Sequence, residues 1–248
     1  AISRELSGEY DRDELRGRVY AEVKRLLDLA TEYGFDENLW QDYLTFLLLT
    51  NENSFSLTAE KRALGDGSIA ALVRQDMATF RELFHFDFGP MEQALGTDCF
   101  SVLTHYRAVP KEKKNYFDNI SRAVRDMSRK LAAATDENEM FALLSEFYHK
   151  NGVGMFGLNR AFRIREGEGQ AEIYPINNTD EVRLSDLVGY ELQKERLIRN
   201  TECFLAGGRA NNVLLYGDAG TGKSTSVKAI LNEYADRGLR MIEIYKHQ

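Results

Sequence analysis

Cysteine, proline and histidine are scarce in this chain of 248 residues. Its two cysteines, Cys99 and Cys203, are far apart and follow no metal-binding or redox spacing. A disulfide scaffold is therefore excluded, and we expect a reducing, cytoplasmic compartment. The histidines form no i, i+4 pair, which argues against a histidine metal site. They are His85, His105, His149 and His247.

Long apolar runs are also missing. The most apolar stretch, residues 46–49, is far shorter than the roughly 20 residues that span a bilayer, so we expect no membrane segment. The formal net charge of −7 argues against generalised binding to nucleic acid or to a membrane surface, because both need a basic field. Hydrophobic residues make up 43% of the chain, which is enough for a sizeable core.

Residues 1–155 are predicted to form a helical domain. Five apolar stripes recur at the 3.6-residue spacing of amphipathic helices, and the second is apolar on most faces and therefore central. Asp11 with Glu14, and Asp136 with Glu139, have the spacing of capping boxes. The stripes are Leu15, Val19, Val23, Leu26, Leu27 and Ala30; Trp40, Tyr43, Leu44, Leu47 and Leu48; Ile69, Leu72, Val73, Phe80, Leu83 and Phe84; Phe117, Ile120, Val124, Met127 and Leu131; and Met140, Leu143, Leu144, Phe147 and Tyr148.

Residues 156–184 are predicted to form a β-hairpin and a linker. Apolar and charged residues alternate on both sides of a glycine-rich turn at residues 166–169, which is typical of paired strands. The alternating residues are Phe162, Arg163, Ile164 and Arg165 on one side and Ala171, Glu172 and Ile173 on the other. Pro175 and residues 177–179 indicate the linker.

Residues 185–248 have the pattern of one strand–helix–strand unit after an opening helix. The opening helix spans about residues 191–205, and residues 213–216 are an all-apolar run typical of a buried parallel strand. Residues 241–245 indicate a second strand. The helix between the two strands carries an apolar stripe and is closed by Gly238; the stripe is Val227, Ile230, Leu231 and Tyr234.

A complete phosphate-binding motif lies between that first strand and the helix. It is G-x-x-x-x-G-K-[ST], formed by Gly217, Asp218, Ala219, Gly220, Thr221, Gly222, Lys223 and Ser224. Glycines let the backbone wrap a triphosphate, and the helix start adds N–H donors, here from residues 219–225. Lys223 is predicted to reach the β- and γ-phosphates as the catalytic residue, and the Ser224 hydroxyl to bind Mg²⁺. A glycine-rich turn without a ligand is the alternative, and it leaves the Lys–Ser pair unexplained.

These residues predict an α/β P-loop domain start, preceded by a mainly α-helical domain with a small β-hairpin. The cofactors that the motif implies are ATP and Mg²⁺. The nucleotide-binding residues predicted from the motif are Gly217, Asp218, Ala219, Gly220, Thr221, Gly222, Lys223, Ser224 and Thr225.

A second segment lies upstream at residues 185–191. It resembles the L-x-G segment of AAA+ ATPases, which leads into the first helix and packs around adenine. That resemblance implies that Leu187, Val188 and Gly189 contact the base. The alternative is an ordinary helix entrance with two buried aliphatic side chains.

Together with Lys246 and His247, the two segments resemble a narrower family. It is a family of uncharacterised bacterial-type ATPases, known as a domain of unknown function, that pairs a helical region with a C-terminal AAA+ domain. The resemblance implies MgATP binding and hydrolysis coupled to the remodelling of a macromolecular partner, and a homo-oligomer. An AAA+ module also needs a Walker B strand, a sensor, a lid and a neighbour's arginine finger, and no acidic residue after the second strand can be assigned to Walker B. We therefore expect hydrolysis in the intact protein, with a C-terminal module cut short here after the second strand.

Other functions stay open at this point. The helical region is also compatible with a protein-interaction scaffold in which nucleotide is only a regulatory ligand, and a P-loop kinase or GTPase is a weaker alternative. Arg122, Arg125 and Arg129 share a helix face near Lys111, Lys113 and Lys114. This face is either a contact for nucleic acid or an acidic partner, or an ordinary solvated helix face.

Overall fold

The structure is a computed structural model that describes residues 11–62, 67–108, 118–166, 171–176 and 181–245. The chain divides into two compact units, Ala1–His149 and Lys150–Gln248. Each unit is described by itself below.

Helices build the first unit. Of the helices that the structure describes in this unit, five are the predicted amphipathic helices, and three short ones of six to eight residues were not predicted, because such lengths hold too few turns to show a period. The elements are α1 (Arg12–Tyr33), α2 (Leu39–Thr50), α3 (Ser54–Lys61), α4 (Ser68–Phe84), α5 (Gly89–Leu95), α6 (Cys99–Thr104), α7 (Asp118–Ala133) and α8 (Glu137–Asn151).

The core of this unit forms where α2 packs against α7. The predicted α7 stripe is confirmed, because its four described members are all buried: Ile120, Val124, Met127 and Leu131. Phe117, the fifth member, lies outside the described residues. Helix α2 contributes Leu39, Leu44 and Leu49 to this core; of its predicted stripe, Leu44 and Leu48 are buried, whereas Leu47 is 41% exposed.

The stripe predicted for α4 is wrong in part. Ile69 and Leu72 are 43% and 65% exposed, whereas Ala70, Met77 and Phe84 are buried. The buried residues are seven apart, so they lie on one narrow face of the helix. The sequence indicated the helix but not which of its apolar residues face the core.

Helix ends in this unit depend on specific side chains. Trp40 Nε1 donates a hydrogen bond of 2.7 Å to the Leu83 carbonyl, and Gln41 Nε2 donates one of 2.9 Å to the Phe84 carbonyl, so both satisfy the end of α4.

The predicted capping boxes are only half formed. Asp11 and Asp136 cap α1 and α8, but the Glu139 carboxylate accepts from the Thr135 N–H instead of reaching back to Asp136.

The second unit contains a three-stranded sheet of order β2-β1-β3. Strand β1 pairs antiparallel with β2 and parallel with β3. The elements are α9 (Gly154–Leu158), β1 (Ala161–Glu166), β2 (Ala171–Pro175), a 3₁₀ turn (Leu184–Asp186), α10 (Glu191–Leu205), α11 (Lys223–Tyr234), a second 3₁₀ turn (Ala235–Arg237) and β3 (Met241–Glu243).

The predicted hairpin is confirmed as β1 and β2. Arg165 lies opposite Glu172 in the register and forms a 3.3 Å ion pair with it, as the alternation of charges suggested. Pro175 was assigned to the linker, but it is the last residue of β2, where an edge strand tolerates a missing N–H. The glycine-rich turn after Glu166 and the linker residues 177–179 lie outside the described residues.

The strand predicted at residues 213–216 is wrong. Leu214 and Tyr216 are 83% and 87% exposed, and the segment belongs to no strand. An apolar run becomes a strand only when a neighbouring backbone pairs with it. Among the described strands, β1 is the partner of β3, and none pairs with this run.

Helix α11 supplies much of the core of the second unit. Ile230, Leu231 and Tyr234 of its predicted stripe are buried, while Val227 is 42% exposed. Gly238 was predicted to close this helix, but the helix ends at Tyr234, and Gly238, with a left-handed φ of 94°, closes the 3₁₀ turn that follows. Within the described part of the chain, none of the helices is both long enough and apolar enough to cross a bilayer.

Candidate functional site

The glycine-rich loop, residues 217–224, leads directly into α11. Its three glycines have positive φ angles: 143° at Gly217, 81° at Gly220 and 81° at Gly222. Residues with a Cβ atom rarely adopt these angles, so the loop shape requires glycine at these positions. Glycine-rich loops with left-handed residues are one of the backbone shapes that can place successive N–H groups around an anion.

The ammonium group of Lys223 lies within this loop. Lys223 Nζ donates to the carbonyl oxygens of Gly217 at 2.9 Å and Asp218 at 2.6 Å, and to Thr221 Oγ1 at 3.2 Å. Thr221 Oγ1 in turn donates to the Asp218 carbonyl at 2.8 Å. All three protons of the ammonium group therefore form hydrogen bonds with atoms of the loop. The loop thus holds the positive charge of Lys223 with its own oxygen atoms.

The start of α11 is open to an anion. Gly222 is the N-cap residue; it makes no side-chain cap, and the first helical turn carries no acidic residue. The N–H groups of residues 223–225 therefore have no intrahelical partner, and the positive end of the helix dipole adds to their effect. Ser224 is exposed at this helix start, and Thr225 is half-buried beside it.

Of the three residues predicted to contact the base, Leu187 lies against the glycine-rich loop, whereas Val188 and Gly189 face open space. A methyl group in place of the Gly222 hydrogen would lie 3.4 Å from Leu187 Cδ2, so Leu187 rests against the loop. It is half-buried and also packs on the cluster of Leu184, Ala229, Ile230 and Tyr234. Val188 is 93% exposed, and Gly189 has open space around it. The structure thus brings Leu187 to the loop, and the alternative of two buried aliphatic side chains does not hold for Val188.

Side chains that the sequence analysis missed hold this segment in place. Asn232 Nδ2 donates 2.8 Å to the Val182 carbonyl, and Glu233 accepts from the Leu184 N–H at 3.1 Å, so α11 binds the chain just before Leu187. Lys194 donates to the Leu187 carbonyl at 2.8 Å. The Lys194 spacing from Glu191 is a weak helix signal, and nothing in the sequence marked Asn232 or Glu233.

A groove of about 500 Å³ lies elsewhere on this unit, between α10, α11 and β3. Phe204, Ile230 and Met241 line it, and none of residues 217–225 does. It is therefore separate from the glycine-rich loop.

Among the described residues, no three His, Cys, Asp or Glu side chains are grouped to hold a metal ion. A magnesium ion at the loop would be held by the Ser224 hydroxyl together with nucleotide phosphates and water.

The basic face of α7, which carries Arg122, Arg125 and Arg129, is partly engaged by other side chains of the first unit. Arg125 forms a 2.9 Å ion pair with Glu37, and Arg122 donates to Asn119 Oδ1 at 3.1 Å. Arg129 is exposed, and Lys111, Lys113 and Lys114 lie outside the described residues. The face that the structure describes is thus partly neutralised.

Comparison with known proteins gives one match. Residues 158–248 match the model of a family described as "Protein of unknown function (DUF815)". No curated protein and no solved structure matches the chain. The matched segment contains the hairpin, the Leu187–Gly189 segment and the glycine-rich loop. All residues of the candidate site therefore lie in the part of the chain that is similar to this uncharacterised family.

Proposed function

We propose that the glycine-rich loop binds the phosphates of MgATP and that the protein is an AAA+-type ATPase. The observation that carries the proposal is the loop itself, in which three positive-φ glycines and the enclosed Lys223 ammonium lie at the uncapped start of α11. The unpaired N–H groups at the start of α11 and the positive charge of Lys223 match a polyanion such as a triphosphate.

The residues present fit this ligand. Lys223 would supply positive charge for the β- and γ-phosphates by exchanging the Gly217 and Asp218 carbonyls for phosphate oxygens, and residues 219–225 would supply backbone N–H donors. Ser224 is exposed where its hydroxyl can bind Mg²⁺. When bound, Mg²⁺ would neutralise charge on the phosphates.

ATP is proposed as the nucleotide because of the Leu187–Gly189 segment. Leu187 lies against Gly222, which is consistent with a base held next to the phosphate loop, and the exposed Val188 offers an apolar surface for it. In the intact protein, hydrolysis is proposed to drive the remodelling of a macromolecular partner. The regulatory scaffold differs from this proposal in one measurable respect, since it binds nucleotide without sustained turnover.

A competition titration tests the nucleotide assignment. A fluorescent ATP analogue is bound to the protein and displaced by ATP or GTP, each with and without Mg²⁺. We expect ATP to displace the analogue at a lower concentration than GTP, and we expect Mg²⁺ to tighten binding for wild type but not for Ser224→Ala. Equal competition by GTP would contradict the adenine assignment, and failure of the analogue to bind would contradict the proposed function. Phosphate release in the intact protein then separates an ATPase from a scaffold.

A further inference from the structure

Lys194 connects the start of α10 to the segment that precedes it. Its ammonium group donates to the Leu187 carbonyl at 2.8 Å and to Glu191 Oε1 at 2.7 Å, and the side chain is only 13% exposed. Side chains on a helix point toward its N-terminus, so a lysine in the first turn is well placed to reach back to the incoming chain. The positive charge is balanced by Glu191, so Lys194 is not a free cation for phosphate.

The turn that Lys194 holds has an unusual backbone. Gly189 and Tyr190 are consecutive residues with φ angles of 80° and 57°. A left-handed tyrosine is uncommon and persists where surrounding contacts hold it. The hydrogen bond from Lys194 to the Leu187 carbonyl links the residue before this turn to the helix that follows it.

The same turn contacts the glycine-rich loop through a different atom of Leu187. The Leu187 carbonyl is bound by Lys194, while its side chain rests against Gly222 at the start of α11. A chain of contacts thus runs from the Lys194 ammonium through one residue to the N-cap of the helix that begins the proposed phosphate site. Loss of the ammonium group would remove the hydrogen bond at the Leu187 carbonyl and leave the loop's own hydrogen bonds unchanged.

We propose that Lys194 is a positioning residue for nucleotide binding. It holds the Leu187–Tyr190 turn against the start of α11 and thereby sets the affinity for the nucleoside half of the ligand, while Lys223 and the loop set the affinity for the phosphates. This inference rests on the proposed function. It adds the prediction that the affinities for the nucleoside and for the phosphates depend on different lysines.

The test compares two probes on the full chain, MgATP and magnesium tripolyphosphate. Tripolyphosphate carries the phosphates without the nucleoside. Lys194→Met keeps the length of the side chain and removes the ammonium group, Lys194→Arg keeps the charge, and Arg196→Met removes a charge from an exposed position of the same helix. Thermal unfolding of each variant checks that the second unit is folded.

We expect Lys194→Met to raise the Kd for MgATP about tenfold, the scale of one hydrogen bond from a charged donor. The Kd for magnesium tripolyphosphate should stay within about twofold, since the loop contacts are unchanged. Lys194→Arg should restore most of the MgATP affinity, and Arg196→Met should match wild type with both probes.

Three results would overturn the inference. If Lys194→Met binds both probes like wild type, the turn does not depend on the ammonium group. If it loses both probes equally while Lys194→Arg does the same, the residue supports the fold of the unit and not the nucleoside half. If wild type binds neither probe, the proposed function itself is wrong and this inference falls with it.

Discussion

Lys223 Nζ lies 2.6 Å from the backbone oxygen of Asp218, so the lysine that starts α11 closes back on the second residue of its own loop. The contact holds the loop around a positive charge before any ligand is considered. The proposed phosphate-binding role requires this ammonium group to exchange the loop oxygens for phosphate oxygens when a nucleotide binds.

Gly222→Ala tests whether the loop shape matters. At φ 81° an added Cβ strains the backbone, and it would also lie 3.4 Å from Leu187 Cδ2. We expect the second unit to lose about 1–2 kcal/mol of stability, the usual cost of a left-handed non-glycine residue, and MgATP binding to weaken. Thermal unfolding followed by circular dichroism and an MgATP titration measure the two effects.

Gly17→Ala is the matched control for this substitution. Gly17 is inside α1 with open space around its Cα, so alanine should stabilise the helix by about 0.5–1 kcal/mol. If Gly222→Ala behaves like Gly17→Ala, the loop does not need its glycine.

Asp42→Asn tests a buried charge in the helical unit. Asp42 is only 3% exposed, and Oδ2 has no hydrogen-bond partner among the described residues. Burial raises the pKa of Asp42 to about 6, although hydrogen bonds from Ser128 and the Asp36 backbone and the charge of Arg125 act in the opposite direction. The folded unit thus holds this proton more tightly than the unfolded chain.

The direction of the pH effect follows from that raised pKa. Protonation of Asp42 stabilises the helical unit at low pH, and this contribution is lost as the pH rises from the unfolded pKa of about 4 to the folded pKa of about 6. Asparagine resembles the protonated form, so Asp42→Asn should be more stable than wild type at about pH 8 by roughly 2–3 kcal/mol and nearly equal to it at about pH 4.

Trp40 reports on this unit alone, because it is the single tryptophan of the chain and lies in α2. Urea unfolding followed by its fluorescence at both pH values measures the difference. Asp126→Asn is the control, because Asp126 is exposed and paired with Lys130 in an i, i+4 ion pair worth a few tenths of a kcal/mol. A gain that is the same at both pH values would show that the charge of Asp42 is not the cause.

Tyr148→Phe tests a buried hydrogen bond in the same core. The Tyr148 hydroxyl donates 2.7 Å to the Leu48 carbonyl, and the side chain is 1% exposed. Its loss leaves a buried carbonyl of α2 without this donor, so we expect a loss of about 1–2 kcal/mol in the free energy of unfolding. Tyr20→Phe removes a comparable bond to Thr97 from an exposed position and should cost much less. Equal losses in the two variants would contradict the importance of burial.

Local patterns predicted much of the fold. The α7 stripe, the start of α1 at Asp11, the hairpin and the glycine-rich loop all depend on residues close together in the chain, and all are present. The short helices α3, α5 and α6 left no periodic signal.

Features that depend on distant partners were not predictable in the same way. The run at residues 213–216 has the composition of a strand, yet pairing requires another backbone, and the described strands provide none for it. Leu187 was named from a resemblance, but its contact with Gly222 and its hold by Lys194 appear only when the chain is folded.

Calorimetric titration of MgATP into wild type, Lys223→Ala and Arg209→Ala tests whether the glycine-rich loop is the nucleotide site. Arg209 is an exposed residue of the same unit, so its loss controls for the removal of one positive charge. We expect saturable binding to wild type and Arg209→Ala, and a Kd about 100-fold higher for Lys223→Ala, since several charge-assisted contacts are lost. Trp40 fluorescence should be unchanged in all three. Equal MgATP affinity in Lys223→Ala and wild type would contradict the claim that this loop is the nucleotide site.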